Sequence, residues 1–189
     1  MRDFLAKLEP VLGMMDVACL LIDAPDTADE QALEALARPL LPLAQSRNVA
    51  VLLANRAALA RRLGADGVHL DARKMELDAA LRAYHEARRI VGEDGIVGAV
   101  CPPERHTAME LAEAGANYVG FDCAGPEGAD LIAWWAEMMT TPCIAFGSFG
   151  ATEARALADS GTDFLAPEAA AWTDDNPSAH FSSLLDAIR

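Results

Sequence analysis

A repeated junction is the feature that most constrains how this chain can fold. Four times a helix-like run ends at a glycine, a short polar turn follows, and an apolar strand-like run begins. The four glycines, 51, 51 and 46 residues apart, are Gly13, Gly64, Gly115 and Gly161. Glycine suits the left-handed position after a helix, and the Asp or Asn that follows suits a tight turn. We therefore interpret each site as a helix-to-strand junction.

A second set of apolar runs lies between these junctions, at 49–54, 96–100 and 143–147, and helical periodicity follows each run. Apolar strands that alternate with amphipathic helices predict a parallel sheet covered by helices. Right-handed crossovers leave a closed barrel or a doubly wound sheet. The repeat favours the barrel, because the residues after Asp23 lack the glycine-rich turn of a doubly wound nucleotide-binding sheet.

The predicted elements form a single domain over 1–189. Strands are expected near 17–23, 49–54, 66–70, 96–100, 117–121, 143–147 and 163–166. Helices are expected near 3–13, 28–46, 55–63, 74–90, 104–114, 128–139, 151–160 and 178–188. A helix opens the chain where a TIM-type barrel would begin with a strand. We therefore expect an α/β fold, a parallel TIM-type (β/α) barrel that lacks its first strand.

The charge and hydropathy of the chain indicate its compartment and the classes of partner that it does not bind. No run of about eighteen apolar residues occurs and the N-terminal segment is charged, so we expect a cytoplasmic protein that does not bind membranes. The formal net charge of −14 predicts no nucleic-acid partner, because nucleic acids are bound by clustered Lys and Arg. The cysteines are widely spaced, and we interpret Cys19 and Cys143 as reduced core residues.

Three runs resemble segments of the thiamine-phosphate synthase and thiazole-tautomerase family: Leu59-Ala-Arg-Arg-Leu-Gly-Ala-Asp-Gly-Val-His-Leu70, Ala114-Gly-Ala-Asn-Tyr-Val-Gly120 and Pro142-Cys-Ile-Ala-Phe-Gly147. The resemblance continues from about Arg2 to Ile188 in the same order and spacing. It implies an enzyme that joins an aminopyrimidine diphosphate to a thiazole phosphate and releases pyrophosphate with the help of magnesium. In such barrels the chemistry takes place at the carboxyl ends of the strands.

At those strand ends the chain departs from the family pattern. The three side chains that would grip pyrophosphate correspond to Leu21, Asp23 and Pro25, and the two magnesium carboxylates correspond to Asn55 and Lys74. Magnesium prefers anionic oxygen ligands, so the resemblance leads us to expect no metal and no cofactor. The alternative is that Asp71 supplies one carboxylate from a shifted loop.

The altered strand ends still carry polar side chains that could support a different chemistry. The candidate catalytic residues are Asn55, Asp71, Lys74, Asp122 and Cys123. Cys123 stands where the tautomerase branch has a histidine. Asp122 and Glu127 are expected to raise the pKa of this thiol and so to oppose a nucleophilic role. We interpret His69 as a hydrogen-bonded core residue.

One loop retains a feature that physical chemistry and the resemblance both assign to phosphate. Gly147-Ser-Phe-Gly150 leads into the helix near Ala151, and a helix N-terminus after glycines offers backbone N–H groups to an anion. We predict that Gly147, Ser148, Phe149 and Gly150 bind the phosphate of a small molecule. A plain tight turn is the alternative, because the next strand end carries Pro167, which lacks an N–H, and the anionic Glu168.

Three functions stay open. The main hypothesis is a divergent, thiamine-phosphate-synthase-like barrel that has lost or altered its synthase chemistry and binds a small phosphorylated ligand. The alternative is an active transferase of thiamine biosynthesis, a thiamine-phosphate synthase or a relative, that uses altered residues. The third is a non-catalytic interaction protein. A homo-oligomer is possible through Trp134 or Trp135, because tryptophan is enriched at subunit interfaces.

Overall fold

The computed structural model describes residues 2–14, 17–25, 27–173 and 176–189. The helices are α1 (Arg2–Leu12), α2 (Glu30–Gln45), α3 (Ala57–Leu63), α4 (Leu77–Val91), α5 (Arg105–Glu113), α6 (Pro126–Met138), α7 (Ala151–Asp159) and α8 (Pro177–Ile188). The strands are β1 (Cys19–Ile22), β2 (Ala50–Ala54), β3 (Gly67–Asp71), β4 (Ile96–Val100), β5 (Tyr118–Asp122), β6 (Cys143–Gly147) and β7 (Phe164–Pro167).

Strand order and direction establish the fold class. The seven strands of the described residues lie in one sheet in the sequential order β1 to β7. The pairs β1–β2, β2–β3, β4–β5, β5–β6 and β6–β7 are parallel. A doubly wound sheet would break this sequential order at its switch point. The predicted α/β fold of the TIM-type barrel class is therefore confirmed, with seven described strands where a complete barrel has eight.

The predicted elements agree with the observed ones to within three residues at each boundary. A 3-10 helix at Ala169–Trp172, after β7, is the element that the periodicity did not predict. Residues 15–16 of the first predicted junction and residues 174–175 of the last predicted loop lie outside the described residues. None of the helices in the described ranges is long and apolar enough to cross a bilayer.

The chain forms two compact units. The first comprises the residues up to Leu70 together with His85–Val97, and the second comprises Asp71–Tyr84 together with Gly98–Arg189. The core of the first unit contains the fully buried side chains of Leu8, Val51, Leu53, Leu59 and Val68. The core of the second unit contains Tyr84, Leu111, Val119, Phe121, Ile132 and Trp135. A single domain stays a prediction.

Three of the four predicted junction glycines have the expected conformation. Gly64, Gly115 and Gly161 have φ angles of 74°, 99° and 94°, in the left-handed region that favours glycine. The prediction is wrong for Gly13, whose φ lies outside that region. Its N–H donates to the carbonyl of Glu9 at 3.1 Å, so this residue continues the hydrogen bonding of α1.

The aspartate of two junctions has a role that the sequence analysis missed. The N–H of Asp66 donates to the carbonyl of Val51 in β2, and Oδ2 of Asp66 accepts from the N–H of Val51 at 2.8 Å. Asp163 makes the same pair of bonds with Cys143 at the start of β6, at 3.0 and 2.8 Å. Each aspartate therefore satisfies both backbone groups of a residue in the neighbouring strand, which helps to fix the register.

The four thiols are free, but they occupy different environments. Cys143 and Cys101 are buried, and burial raises the pKa of the Cys101 thiol to about 12. The interpretation of Cys143 as a core residue is confirmed. The thiol of Cys19 is also free, but its interpretation as a core residue is wrong, because this residue is exposed. It lies on β1, the first strand in the order that the described residues form.

Candidate functional site

In the second unit, backbone hydrogen bonds bring together the carboxyl ends of successive strands. These bonds run from Ala72 N to Val100 O (2.9 Å), from Cys101 N to Gly120 O (2.8 Å), from Cys123 N to Phe146 O (2.7 Å) and from Glu168 N to Gly147 O (3.1 Å). They link residues at or just beyond the ends of β3 to β7, so the loops that follow these strands share one edge. In TIM-type barrels this edge is the functional one.

Arg73 is the central charged group of this edge. Its Nε and Nη2 donate to Oδ1 and Oδ2 of Asp71 at 2.9 and 2.7 Å, which is a bidentate ion pair. Its Nη1 donates to Oδ2 of Asp122 at 3.4 Å. The hydrogen bonds with Asp71 and, less strongly, the charge of Asp122 raise the pKa of Arg73 further above its usual range. The guanidinium is therefore a fixed positive charge, and the side chain is still 42% exposed to a ligand.

The backbone orients both carboxylates of this cluster. Oδ1 of Asp71 also accepts from the N–H of Arg73 at 3.2 Å, and Oδ1 of Asp122 accepts from the N–H of Ala124 at 3.0 Å. The sequence analysis named Asp71, Lys74 and Asp122 but missed Arg73. The signal that could have found it is the Asp-x-Arg spacing directly after a strand, which allows an aspartate to cap the turn and to hold the arginine.

The two remaining polar candidates have different surroundings. Lys74 is exposed directly after Arg73 and adds a second positive charge next to it. Asn55 belongs to the first unit, where its N–H donates to the carbonyl of His69 at 2.8 Å. Asn55 has a φ of 53°, a left-handed conformation that is uncommon for residues other than glycine and that occurs often at functional sites. His69 is 3% exposed, in agreement with the core interpretation.

The residues present do not fit a magnesium site. Magnesium requires several free oxygen ligands in a near-octahedral arrangement. Both carboxylate oxygens of Asp71 accept from Arg73, and those of Asp122 accept from Arg73 and Ala124. Across the described residues, no group of three or more His, Cys, Asp or Glu side chains is arranged to hold a metal ion. That the protein needs no cofactor remains a prediction.

Cys123 lies at the same edge, but its environment opposes a nucleophilic role. Partial burial, and to a smaller extent the charge of Asp122, raise the pKa of this thiol to about 11. Sγ lies 3.5 Å from the carbonyl oxygen of Phe121, to which the protonated thiol donates. The thiol is therefore protonated at neutral pH, as the sequence analysis expected from the adjacent aspartate.

We expect Cys123 to react with iodoacetamide at pH 7 at least about 100-fold more slowly than free cysteine, because a pKa of about 11 leaves little thiolate. Asp122→Asn removes a neighbouring negative charge, lowers the pKa and should speed the reaction roughly threefold. Peptide-level mass spectrometry would separate Cys123 from the other three thiols. Reaction of Cys123 at the rate of free cysteine would contradict this picture.

The predicted phosphate loop connects β6 to α7. Gly147 has a φ of 152°, and a Cβ at this position would lie 3.5 Å from the backbone nitrogen of Ala124. Phe149 is buried, whereas Ser148 and Gly150 are exposed. Gly150 is the residue that precedes the first turn of α7. The loop therefore presents part of its backbone to solvent at the start of a helix, as the prediction requires.

One of the backbone donors of this loop is already used within the chain. The N–H of Gly150 donates to Oε2 of Glu153 at 3.1 Å. The signal was present in the sequence, because a glutamate three residues after the residue that precedes a helix is the second half of a capping box. Glu153 places a negative charge close to the position that a phosphate would occupy.

A pocket of about 220 Å³ adjoins the loop. It is lined by Ser148, Phe149, Pro167, Glu168, Ala170, Ala171 and His180. Its ionisable side chains are Glu168 and His180, and the carboxylate of Glu168 opposes the binding of an anion. The sequence analysis placed no ligand contact on His180, which lies on α8, 30 or more residues from the loop in sequence.

Comparison with known proteins gives a consistent result. The sequence pattern of a family described as thiamine monophosphate synthase matches residues 1–170. A thiamine-phosphate synthase of Rhodospirillum centenum is 38% identical over 98% of this chain and 89% of its own length. A thiamine-phosphate synthase of Hyphomonas neptunium is 34% identical over 98% of this chain and 88% of its own length.

Solved structures agree on the fold. Thiamine phosphate pyrophosphorylase from Pyrococcus furiosus superposes with a TM-score of 0.80 and 19% identity, over 98% of this chain and 89% of that one. A 3-hexulose-6-phosphate synthase from Salmonella typhimurium superposes with a TM-score of 0.67 and 16% identity, over 99% and 91%.

Proposed function

The chain belongs to the thiamine monophosphate synthase family, and from that premise we propose that it is an active transferase of the thiamine-phosphate synthase type. It joins an aminopyrimidine diphosphate to a thiazole phosphate and releases pyrophosphate. Two relatives with that name align along almost the whole chain, which favours an active transferase over a barrel that has lost its chemistry.

The observation that carries the proposal is the fixed guanidinium of Arg73. In the reaction, the bond between a carbon of the pyrimidine and an oxygen of the diphosphate breaks, and its electron pair leaves with pyrophosphate. The thiazole supplies the electron pair of the new bond. Negative charge therefore grows on the leaving group, and a preoriented cation in reach of that group lowers the barrier. Arginine suits this role because its planar donors match phosphate oxygens.

Other residues of the same edge have supporting roles. Asp71 and Asp122 position Arg73, and Lys74 contributes a second cation for the diphosphate. The thiazole phosphate binds at the loop Gly147-Ser-Phe-Gly150, next to the pocket that Ser148 and Phe149 help to line.

A second candidate, a phosphorylated-ligand-binding protein without turnover, has its own support. Glu153 occupies one N–H of the phosphate loop, and Leu21, Asp23 and Pro25 stand where the family would have side chains that grip pyrophosphate. This candidate keeps the hypothesis of lost chemistry, which the relatives do not test.

A turnover assay distinguishes the two candidates. The purified protein is incubated with both phosphorylated substrates, and the joined product is measured by mass spectrometry. Formation of the product at a rate that scales with enzyme concentration supports the transferase. Binding of the thiazole phosphate in calorimetry without any product would overturn it and would leave the binding protein.

Glu153→Gln is expected to tighten the binding of thiazole phosphate or inorganic phosphate about three- to tenfold. The substitution keeps the shape of the side chain but removes a negative charge next to the anion position. Glu137→Gln is the matched control, because Glu137 lies on the exposed surface near the other end of a barrel helix, α6. Isothermal titration of both variants tests this, and equal affinities would place the anion elsewhere.

A further inference from the structure

The cluster at the end of β3 and β5 contains one cation held between two anions. Arg73 uses three of its N–H groups on Asp71 and Asp122, and both aspartates are intermediate in exposure. The formal charge of the three groups sums to −1. A divalent ion bound by the same two carboxylates would have to displace the guanidinium from a bidentate pair.

We infer that Arg73 takes the place of a divalent metal ion at this edge, so that the protein binds and activates the diphosphate of its substrate with a cation of its own. This inference rests on the proposed function for its substrate, but the arrangement of the three side chains does not. The misfit between these residues and magnesium is the observation that it explains.

The geometry suits such a replacement. A metal ion between two carboxylates screens their repulsion and offers positive charge to phosphate oxygens; the guanidinium contacts both carboxylates here and stays partly exposed. Two carboxylates fix its plane, and two of its five N–H groups are not directed at either of them. Those two N–H groups can donate to the diphosphate. Since arginine stays protonated at all relevant pH values, the charge is permanent, whereas a bound ion can dissociate.

A consequence follows for the protein without Arg73. Asp71 and Asp122 would then lose the cation that contacts both of their carboxylates. Removal of the arginine should therefore create a divalent-ion site that the wild-type protein does not have. Carboxylate and water ligands suit Mn²⁺, which is detectable by electron paramagnetic resonance.

The test is titration of the protein alone with Mn²⁺, with bound and free Mn²⁺ measured by electron paramagnetic resonance. We expect Arg73→Gln and Arg73→Ala each to bind one Mn²⁺ at least about tenfold more tightly than the wild type does. Addition of Asp71→Asn to either variant should abolish the gain, which separates this site from general attraction to an acidic protein. Because Arg73 is an exposed side chain, both variants should fold, and circular dichroism checks this.

Two outcomes would overturn the inference. One is a wild-type protein that binds a single Mn²⁺ tightly and loses it on Asp71→Asn. The other is a pair of folded Arg73 variants with no gain in Mn²⁺ affinity. The titration contains no substrate, so its result is independent of turnover. Failure of the coupling reaction would therefore refute the proposed function, and failure of the Mn²⁺ titration would refute only the role of Arg73 as a metal substitute.

Discussion

Trp135→Ala is expected to lower the free energy of unfolding by about 3–5 kcal/mol, the range for removal of a large aromatic side chain from a core. Trp135 is 1% exposed, and its ring packs edge-to-face on Phe121 at a centroid distance of 5.8 Å. Its Nε1 donates to the carbonyl of Thr141 at 2.7 Å, which ties α6 to the segment before β6. Urea denaturation, monitored by circular dichroism, measures the change in the free energy of unfolding.

The adjacent tryptophan is a control of the same type and size. Trp134 is partly exposed and lies under the guanidinium of Arg105, with the Cζ atom 4.4 Å from the ring centroid. We expect Trp134→Ala to cost about 1 kcal/mol or less, the strength of an exposed cation–π pair. Similar losses for both variants would mean that Trp135 does not anchor the core of the second unit.

Arg73→Ala is expected to lower kcat/KM for the coupling reaction by about 10²–10³-fold, the usual effect of removing one preoriented donor to a developing negative charge. The loss should appear mainly in kcat, because the leaving group gains charge as the bond breaks. Arg73→Lys keeps a positive charge but loses the bidentate geometry, so it should retain an intermediate rate. Steady-state kinetics with varied pyrimidine diphosphate measures both variants.

The matched control is Arg82→Ala. Arg82 is also an exposed arginine of the second unit, but it lies on α4. This variant should keep the wild-type rate. Unfolding free energies of all three variants should stay within about 1 kcal/mol of the wild type, as for exposed ion pairs. An unchanged kcat/KM in Arg73→Ala would exclude the proposed role of the guanidinium.

Most of the fold could be predicted because its signals are local. A glycine in the left-handed conformation after a helix, with an aspartate a few residues later, can be predicted from neighbouring positions in the sequence. Gly64 and Asp66 are such a pair. The bond from Asp66 to Val51 could not be read in this way, because it joins residues of different elements. Two predictions were wrong: the left-handed conformation of Gly13 and the core position of Cys19. These residues belong to the first junction and the first strand, to which the pattern of the inner repeats does not extend.

The candidate site was harder to predict, because its central contact is not local. Arg73 and Asp122 are 49 residues apart, and only folding brings the guanidinium to both aspartates. The resemblance pointed to the positions of family side chains. Lys74 stands at one of those positions, whereas Arg73 does not and was not predicted. Asp71 and Asp122 were named as candidates, so two of the three members of the cluster could be predicted.

The central claim is that this chain couples its two substrates with an arginine as the activating cation. The most direct measurement is the release of pyrophosphate by the wild-type protein in the presence of both substrates and an excess of a metal chelator. We expect pyrophosphate and the joined product in equal amounts, at the same rate with and without the chelator, and almost none from Arg73→Ala. No product under any condition, or product only when a divalent metal is supplied, would contradict the claim.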